Sequence, residues 1–385
     1  MSRSKDAALM PASASRILVR GVNWLGDAVM TTPALQRLRE AHPNSHITLL
    51  THQKLADLWQ GHPSLNSVLT FAASETVWSI ARRLREQNFN TALVLPNSPR
   101  SALEVWLAKI PQRIGYARPW RNWFLTQVAP SREDRVVMRK RSVAEINRLI
   151  NNTQYATRNT TYPAGSHQIF EYLNLAASLG ASTTPTAPQL HVTPSELEPI
   201  VARFGLKPDA AEPIFALNPG AEYGPAKRWP AERFISAAVE IHRKSPCRWL
   251  IFGGPADLAI AREIEMGIQK ALAKTADAAA PVNLAGKTTL RELCVLLKLC
   301  RVLLTNDSGP MHVAAAVGTS VVVLFGSTSP ELTGPGLPGD TRHQLLTANA
   351  PCSPCFLRTC PIDFRCMTGI SVDRVVEAIL RASTR

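Results

Sequence analysis

Three short segments hold the residue types that could do chemistry, and each joins a β-branched run to a helical pattern. The first is Gly21-Val-Asn-Trp-Leu-Gly26-Asp27. Its glycines permit a sharp turn and close approach of a ligand. Asp27 at the helix start could simply be a cap. It could also be a general base, because the positive end of a helix favours the ionised carboxylate a base needs, though chemistry alone favours the cap. The second segment is Asn218-Pro-Gly-Ala-Glu-Tyr-Gly-Pro-Ala-Lys227-Arg228-Trp229-Pro230. Here Lys227 and Arg228 are either two solvated charges or cations at a helix entrance, where backbone amides already favour a diphosphate. Phe252-Gly-Gly-Pro-Ala-Asp257 adds a further strand-end turn. The third segment is Thr305-Asn-Asp307-Ser308-Gly309-Pro-Met-His312. Ser308 and the amides of Ser308 and Gly309 could take phosphate oxygens. Asp307 could hold a cation or a ribose hydroxyl. His312, one turn into a small-residue helix, is a ligand contact or a satisfied core residue. None of the three is a G-x-G-x-x-G turn, which counts against a nicotinamide-binding oxidoreductase.

Two further constellations stand apart. Arg113, Tyr116, Arg118, Trp120, Arg121 and Trp123 mix aromatics with cations. That suits sugar stacking and anion pairing, single-stranded nucleic acid, or a membrane headgroup layer. Cys352, Cys355, Cys360 and Cys366 open with CxxC and could hold a structural zinc with no ligand position left for chemistry. Cys247, Cys294 and Cys300 lie in apolar patterns and read as packed thiols.

The elements that must position these residues read as an α/β chain with parallel sheets. Strands are expected at 17–20, 47–51, 68–71, 91–95, 214–218, 249–252, 282–284, 302–305 and 321–325. A helix is expected over 27–41, with others at 55–60, 77–86, 101–108, 167–179, 231–244, 256–271, 290–299, 311–316 and 372–382. Residues 120–164 give no clear pattern. A Ser/Thr/Pro stretch at 181–188 marks a linker. The 385 residues divide into two domains, 1–185 and 186–385, with the last helix expected to reach back to the first. Facing sheets of this kind bind ligands between the carboxyl ends of their strands.

Lys and Arg number 43 against 29 Asp and Glu, a net +14. Half of that surplus lies in residues 100–141, with ten basic against three acidic side chains. Such a field favours an anionic partner. Met1–Ser15 has no apolar core of a secretory leader, and no run of about 20 apolar residues is present, so the chain is expected in the cytoplasm.

The opening RGVNWLGDAVMTTPAL, the loop NPGAEYGPAKRWP and the run TNDSGPMHVAAAVGTSVVVLFGSTSPELTGP resemble the ADP-heptose:lipopolysaccharide heptosyltransferases of glycosyltransferase family nine. Within that family the GAE-x-GPAKRWP form is similar to heptosyltransferase II, and the likeness runs from about Arg16 to the cysteine tail. It implies two facing Rossmann-like domains, the B-type glycosyltransferase fold. The first would take the lipopolysaccharide inner-core acceptor and the second ADP-heptose. The reaction would be an inverting displacement requiring no cofactor. By motif, Asp27 would be the base, Lys227 would hold the diphosphate and Asp307 the donor sugar. Ser308, Gly309 and His312 would line the phosphate loop. Arg228, Glu222 and Thr288 join the donor side by position, and Asn23, Arg113, Arg118 and Arg121 are candidates for the acceptor side. Zinc stays a structural option at the four cysteines. The basic stretch would hold the protein at the cytoplasmic face of the inner membrane. Nucleic acid is not an expected partner, because it would leave the three strand-end loops unexplained. The rival within the family is heptosyltransferase I or a later core transferase.

Overall fold

The computed structural model describes residues 15–151, 162–206, 212–273 and 279–384. Residues 1–14, which carry most of the polar N-terminus, lie outside them, as does part of the 120–164 stretch. Two six-stranded sheets organise the chain. The first holds β1 (Arg16–Arg20), β2 (His46–His52), β3 (Ser67–Phe71), β4 (Thr91–Val94), β5 (Gln112–Tyr116) and β6 (Gln127–Ala129), in the order β3-β2-β1-β4-β5-β6. The second holds β7 (Ile214–Asn218), β8 (Arg248–Ile251), β9 (Val282–Asn283), β10 (Val302–Asn306), β11 (Ser320–Phe325) and β12 (Gln344–Thr347), in the order β12-β11-β10-β7-β8-β9. Every pairing is parallel. Helices must therefore cover both faces, and the central strands are apolar runs buried on both sides: all five residues of β7 and of β10 are buried.

In each sheet the strand order reverses beside its first strand. The reversals fall between β1 and β4 and between β7 and β10. A crevice opens at such a point, beyond the strands' carboxyl ends, because the adjoining connections leave to opposite faces. The loops carrying Asp27, Lys227 and Ser308 all leave from strands at these two points.

Most expected elements are present, with instructive differences. The expected 27–41 helix is two helices, Leu25–Met30 and Thr32–Ala41. Pro33 has no amide to continue the ladder, and the Thr31 hydroxyl turns back to donate to the Ala28 carbonyl. Strands β5, β6 and β12 and the helices Val143–Asn151 and Pro194–Arg203 were not anticipated. The final helix, Val372–Ser383, packs on the Ala231–Lys244 helix and on β10–β12. Its apolar face is thus used within the second half and not, as expected, on the first. The crossing segment is instead Val143–Asn151: Ile146 is buried in the second core with Phe215, Leu217 and Cys352. The two sheets also share a core, in which Ile17, Val19 and Leu35 join Ala216, Leu303 and Met311.

The halves meet helix to helix. Leu25–Met30 lies against Gly309–Val317. A Cβ on Gly309 would sit 2.9 Å from the Leu25 side chain, and one on Gly26 would sit 2.7 Å from the His312 ring. Only glycine at both positions allows this approach.

Candidate functional site

The loop after β1 rests on a buried ion pair. Arg20 Nε lies 2.7 Å from Glu104, and both side chains are almost fully buried. The same guanidinium donates to the Gly21 carbonyl at 2.5 Å and stacks 4.3 Å over Phe71. Desolvating two charges is tolerable only with such complete bonding. The result is a rigid floor from which Asn23 and Trp24 project, both exposed.

Asp27 follows at the start of the Leu25–Met30 helix and is partly buried. It bonds no amide as a cap does, since the cap position is Trp24. Its Oδ1 accepts a hydrogen bond from Gln168 Nε2 at 3.0 Å. Burial pushes its carboxyl from 3.8 up to about 6, while the Gln168 bond and the Lys227 ammonium pull the other way. A carboxylate poised near neutrality, in a cleft, is what a general base requires.

Asp27 lines a cavity of about 620 Å³ with Asn23, Trp24, Asn97, Arg118 and Arg135, among others. That is the size of a ligand pocket. Arg118 and Arg135 are the cations facing it, and Arg135 also pairs with Glu171 at 3.6 Å. The other two expected acceptor arginines are corrected by the geometry. Arg113 is turned to backbone carbonyls, donating to Phe124 at 2.7 Å and Ile110 at 2.5 Å. Arg121 is fully buried, donating to the Pro96 carbonyl at 2.8 Å, and burial lowers it to about 10. Arg121 thereby holds the Pro96–Asn97 edge of the cavity. Arg135 was missed because it sits in a patternless basic stretch.

The second half presents three strand-end loops. Asn306 at the end of β10 accepts from the Trp229 amide at 3.1 Å and donates to the Pro219 carbonyl at 2.7 Å, fixing the Pro219–Trp229 loop to its neighbour. Asn218 donates to Ser308 Oγ at 3.0 Å. Lys227 Nζ pairs with Asp307 Oδ2 at 2.6 Å, both nearly buried, and the Thr328 hydroxyl meets the same oxygen. Lys227 and Asp307 thus fix each other, and the ammonium retains donors for a ligand. It also lies 4.8 Å over the Tyr223 ring. Arg228 sits nearby, 3.6 Å from Asp257. Ser308 is the residue before the Gly309–Val317 helix, whose first amides point toward any anion seated there. His312 is buried, and burial lowers it to about 3, so the imidazole is neutral. Its Nδ1 has no partner among the described residues. Glu222 is exposed at the rim, 4.0 Å from Lys54 of the first half. Thr288 is half-buried in the turn before the Leu290–Leu299 helix.

The cysteine tail braces this loop from outside. The Tyr223 hydroxyl donates to the Phe356 carbonyl at 2.7 Å, and the Ala226 amide to the Arg358 carbonyl at 3.0 Å. Cys352, Cys355, Cys360 and Cys366 border one small cavity with Ile146 and Ala226. Among the described residues no group of three or more His, Cys, Asp or Glu is arranged to hold a metal ion.

Comparison with known proteins agrees with this architecture. The model of glycosyltransferase family 9 (heptosyltransferase) matches residues 77–154 and 151–364. The chain is 30% identical over 330 residues to lipooligosaccharide heptosyltransferase 2 of Haemophilus ducreyi, covering 83% of this chain and 86% of that one. It is 29% identical over 333 residues to lipopolysaccharide heptosyltransferase 2 of Escherichia coli K12, covering 83% and 85%. The solved structure of E. coli ADP-heptose lps heptosyltransferase II superposes with a TM-score of 0.75 at 26% identity, covering 96% of this chain and 98% of that one. With a family model spanning most of its length and two facing parallel sheets of the matching fold, the chain belongs to glycosyltransferase family 9, the heptosyltransferases.

Proposed function

We propose that this protein transfers a heptose from ADP-heptose to the inner core of lipopolysaccharide, adding the second heptose, by direct displacement with inversion. Asp27 takes the proton of the acceptor hydroxyl. The acceptor oxygen attacks the anomeric carbon, the bond from that carbon to the diphosphate oxygen breaks, and ADP leaves with the electron pair. One carboxylate suffices for this, whereas glycoside hydrolysis needs two. Lys227, Arg228 and the start of the Gly309–Val317 helix stabilise the departing diphosphate. Asp307 holds Lys227 in place and offers its second oxygen to the donor sugar. These groups supply the positive charge the leaving group needs, so the reaction requires no metal cofactor.

The observation that carries the reading is the position of Asp27. It lines the first half's cavity and lies close enough to Lys227 of the second half to feel its charge. A base is thereby set between an acceptor pocket and a diphosphate grip. On the acceptor side, Arg118 and Arg135 suit the carboxylates and phosphates of an inner core. Trp120 and Trp123, 86% and 90% exposed, stand beside Arg118 and suit the headgroup layer of the inner membrane's cytoplasmic face.

Incubation with ADP-heptose and Kdo-lipid A acceptors carrying zero, one or two heptoses, read by mass, tests the reading. One added heptose on the one-heptose acceptor is expected. Addition only to the heptose-free acceptor would make it a first-heptose transferase. No addition to any of them would overturn the proposal.

A further inference from the structure

Asp27 does not stand alone at the cleft. The amide nitrogen of Gln168 donates at 3.0 Å to Asp27 Oδ1 and at 2.8 Å to the Tyr172 hydroxyl. Both donors of one amide are therefore committed. The opposite amide orientation would set the carbonyl oxygen against a carboxylate, so the assignment is forced whenever Asp27 is ionised.

The origin of this side chain is also fixed. Gln168 opens the Gln168–Ala177 helix, and His167 is its cap, buried at 2% exposure. The His167 Nδ1 accepts from the Ile169 amide at 3.3 Å, which puts the ring proton on Nε2. Nε2 then donates to the Gly334 carbonyl at 3.0 Å, a bond from the first half to the second. Gly334 follows the short Pro330–Thr333 helix, which begins two residues after Thr328, the partner of Asp307. A continuous line of contacts thus runs from the diphosphate-side residues to the amide that grips Asp27.

We infer that Gln168 is a positioning residue for Asp27, holding the carboxylate ionised and aimed while the two halves are closed. The inference rests on the reading of Asp27 as the base. Other groups face Asp27 from every side: Tyr172 from the same helix as Gln168, Lys227 with its partner Asp307 from the second half, neutral His312 behind Gly26, and Arg118, Arg135 and Glu171 across the cavity. Of these, Gln168 is the side chain hydrogen-bonded to the carboxylate. Its loss removes a donor that favours the charged form, so Asp27 binds its proton more tightly.

The test is the pH dependence of turnover in the full chain for Gln168→Met, which keeps the length and drops the donors. The acid limb of kcat/KM is expected to move to higher pH, and kcat at neutral pH to fall about tenfold to a hundredfold, as for a hydrogen bond to a charged group. ADP affinity and the KM for ADP-heptose are expected to stay at the wild-type values. Gln168→Glu should move the limb further up, since a second carboxylate now faces the first; it also carries the test if the Met variant does not fold. An acid limb at the wild-type pH in these variants overturns the inference, as does a loss confined to thermal stability and ADP affinity. Asp27→Asn separates the two readings. If that variant turns over normally, the base assignment itself is wrong. If it is inactive while the Gln168 variants keep the wild-type limb, the positioning role alone fails.

Discussion

At the scale of single residues, the site is built from groups held against their own preference. Asp27 is the plainest case. Water would keep its carboxyl at 3.8, and burial moves it to about 6. Its contribution to stability is full below about pH 3.8 and is drawn down as pH rises through 6, because the folded state resists the ionisation that the unfolded chain accepts. At pH 8 that resistance amounts to at most about 3 kcal/mol. Asp27→Asn, which still accepts from Gln168, is therefore expected to unfold at higher temperature than the wild type at pH 8, with the gap closing toward pH 4. Turnover of the wild type should rise through about pH 6, and the Asn variant should lack turnover at every pH. A calorimetric series from pH 4 to 8 beside a rate profile checks both, and a variant less stable than wild type at pH 8 would mean the carboxylate is not strained. Residue types at strand ends marked Asp27, Lys227 and Ser308 as candidates in the sequence, each beside a plainer reading as a cap or a solvated charge, and their proposed roles came from the family resemblance. Gln168 was not legible. It reads as one more polar residue in the first turn of an amphipathic helix, and only the fold brings it to Asp27. Arg113 and Arg121 misled for the converse reason: a basic side chain looks the same in sequence whether it meets a ligand or backbone carbonyls.

Among the elements, the decisive contact is between the helices Leu25–Met30 and Gly309–Val317, which bring Asp27 and the Ser308 loop toward one another. Their approach depends on Gly26, whose missing Cβ leaves room for the His312 ring. His312 is buried and cannot swing to solvent. Gly26→Ala should therefore part the helices or distort the ring, costing about 1–3 kcal/mol as overpacking does. Turnover should fall more steeply than stability, because Asp27 is the next residue. In a His312→Ala background the same substitution should cost little stability, and a double-mutant cycle by urea unfolding reads that coupling directly. Equal penalties in both backgrounds would show that the contact does not limit the approach. The elements that sequence patterning missed share a cause. Strand β5 carries Gln112 and Arg113 within five residues, and β6 is three residues long. Neither offers the apolar run that marks a buried parallel strand, since both lie toward the sheet's edge. The Val143–Asn151 helix does carry apolar residues at helical spacing, with Ile146 buried in the second core, but it is short and follows a long basic stretch without pattern.

For the whole molecule, charge and exposed aromatics fall on one side of the cavity that Asp27 lines. Half of the net +14 lies in residues 100–141. The same segment supplies Arg118, Arg135, Val137 and Met138 to the cavity wall and exposes Trp120 and Trp123. No helix among the described residues is long and apolar enough to cross a membrane. An anionic, lipid-borne acceptor should be steered by such a field, and steering is screened by salt over roughly 8–10 Å. The donor grip should respond far less, because the Lys227–Asp307 pair is buried and its bonds are short. Raising the ionic strength from about 0.02 to 0.5 M is therefore expected to lower kcat/KM for the lipid A-bearing acceptor about tenfold or more. The KM for ADP-heptose should change by less than about twofold over the same range, since exposed charges alone are screened. Trp120→Ala with Trp123→Ala should abolish retention on anionic vesicles while leaving turnover of a short, detergent-free acceptor intact. If kcat/KM for the lipid acceptor were flat across that salt range, the segment's basic residues outside the cavity would be a solvated surface and nothing more. The acceptor would then be recognised wholly by the cavity around Asp27.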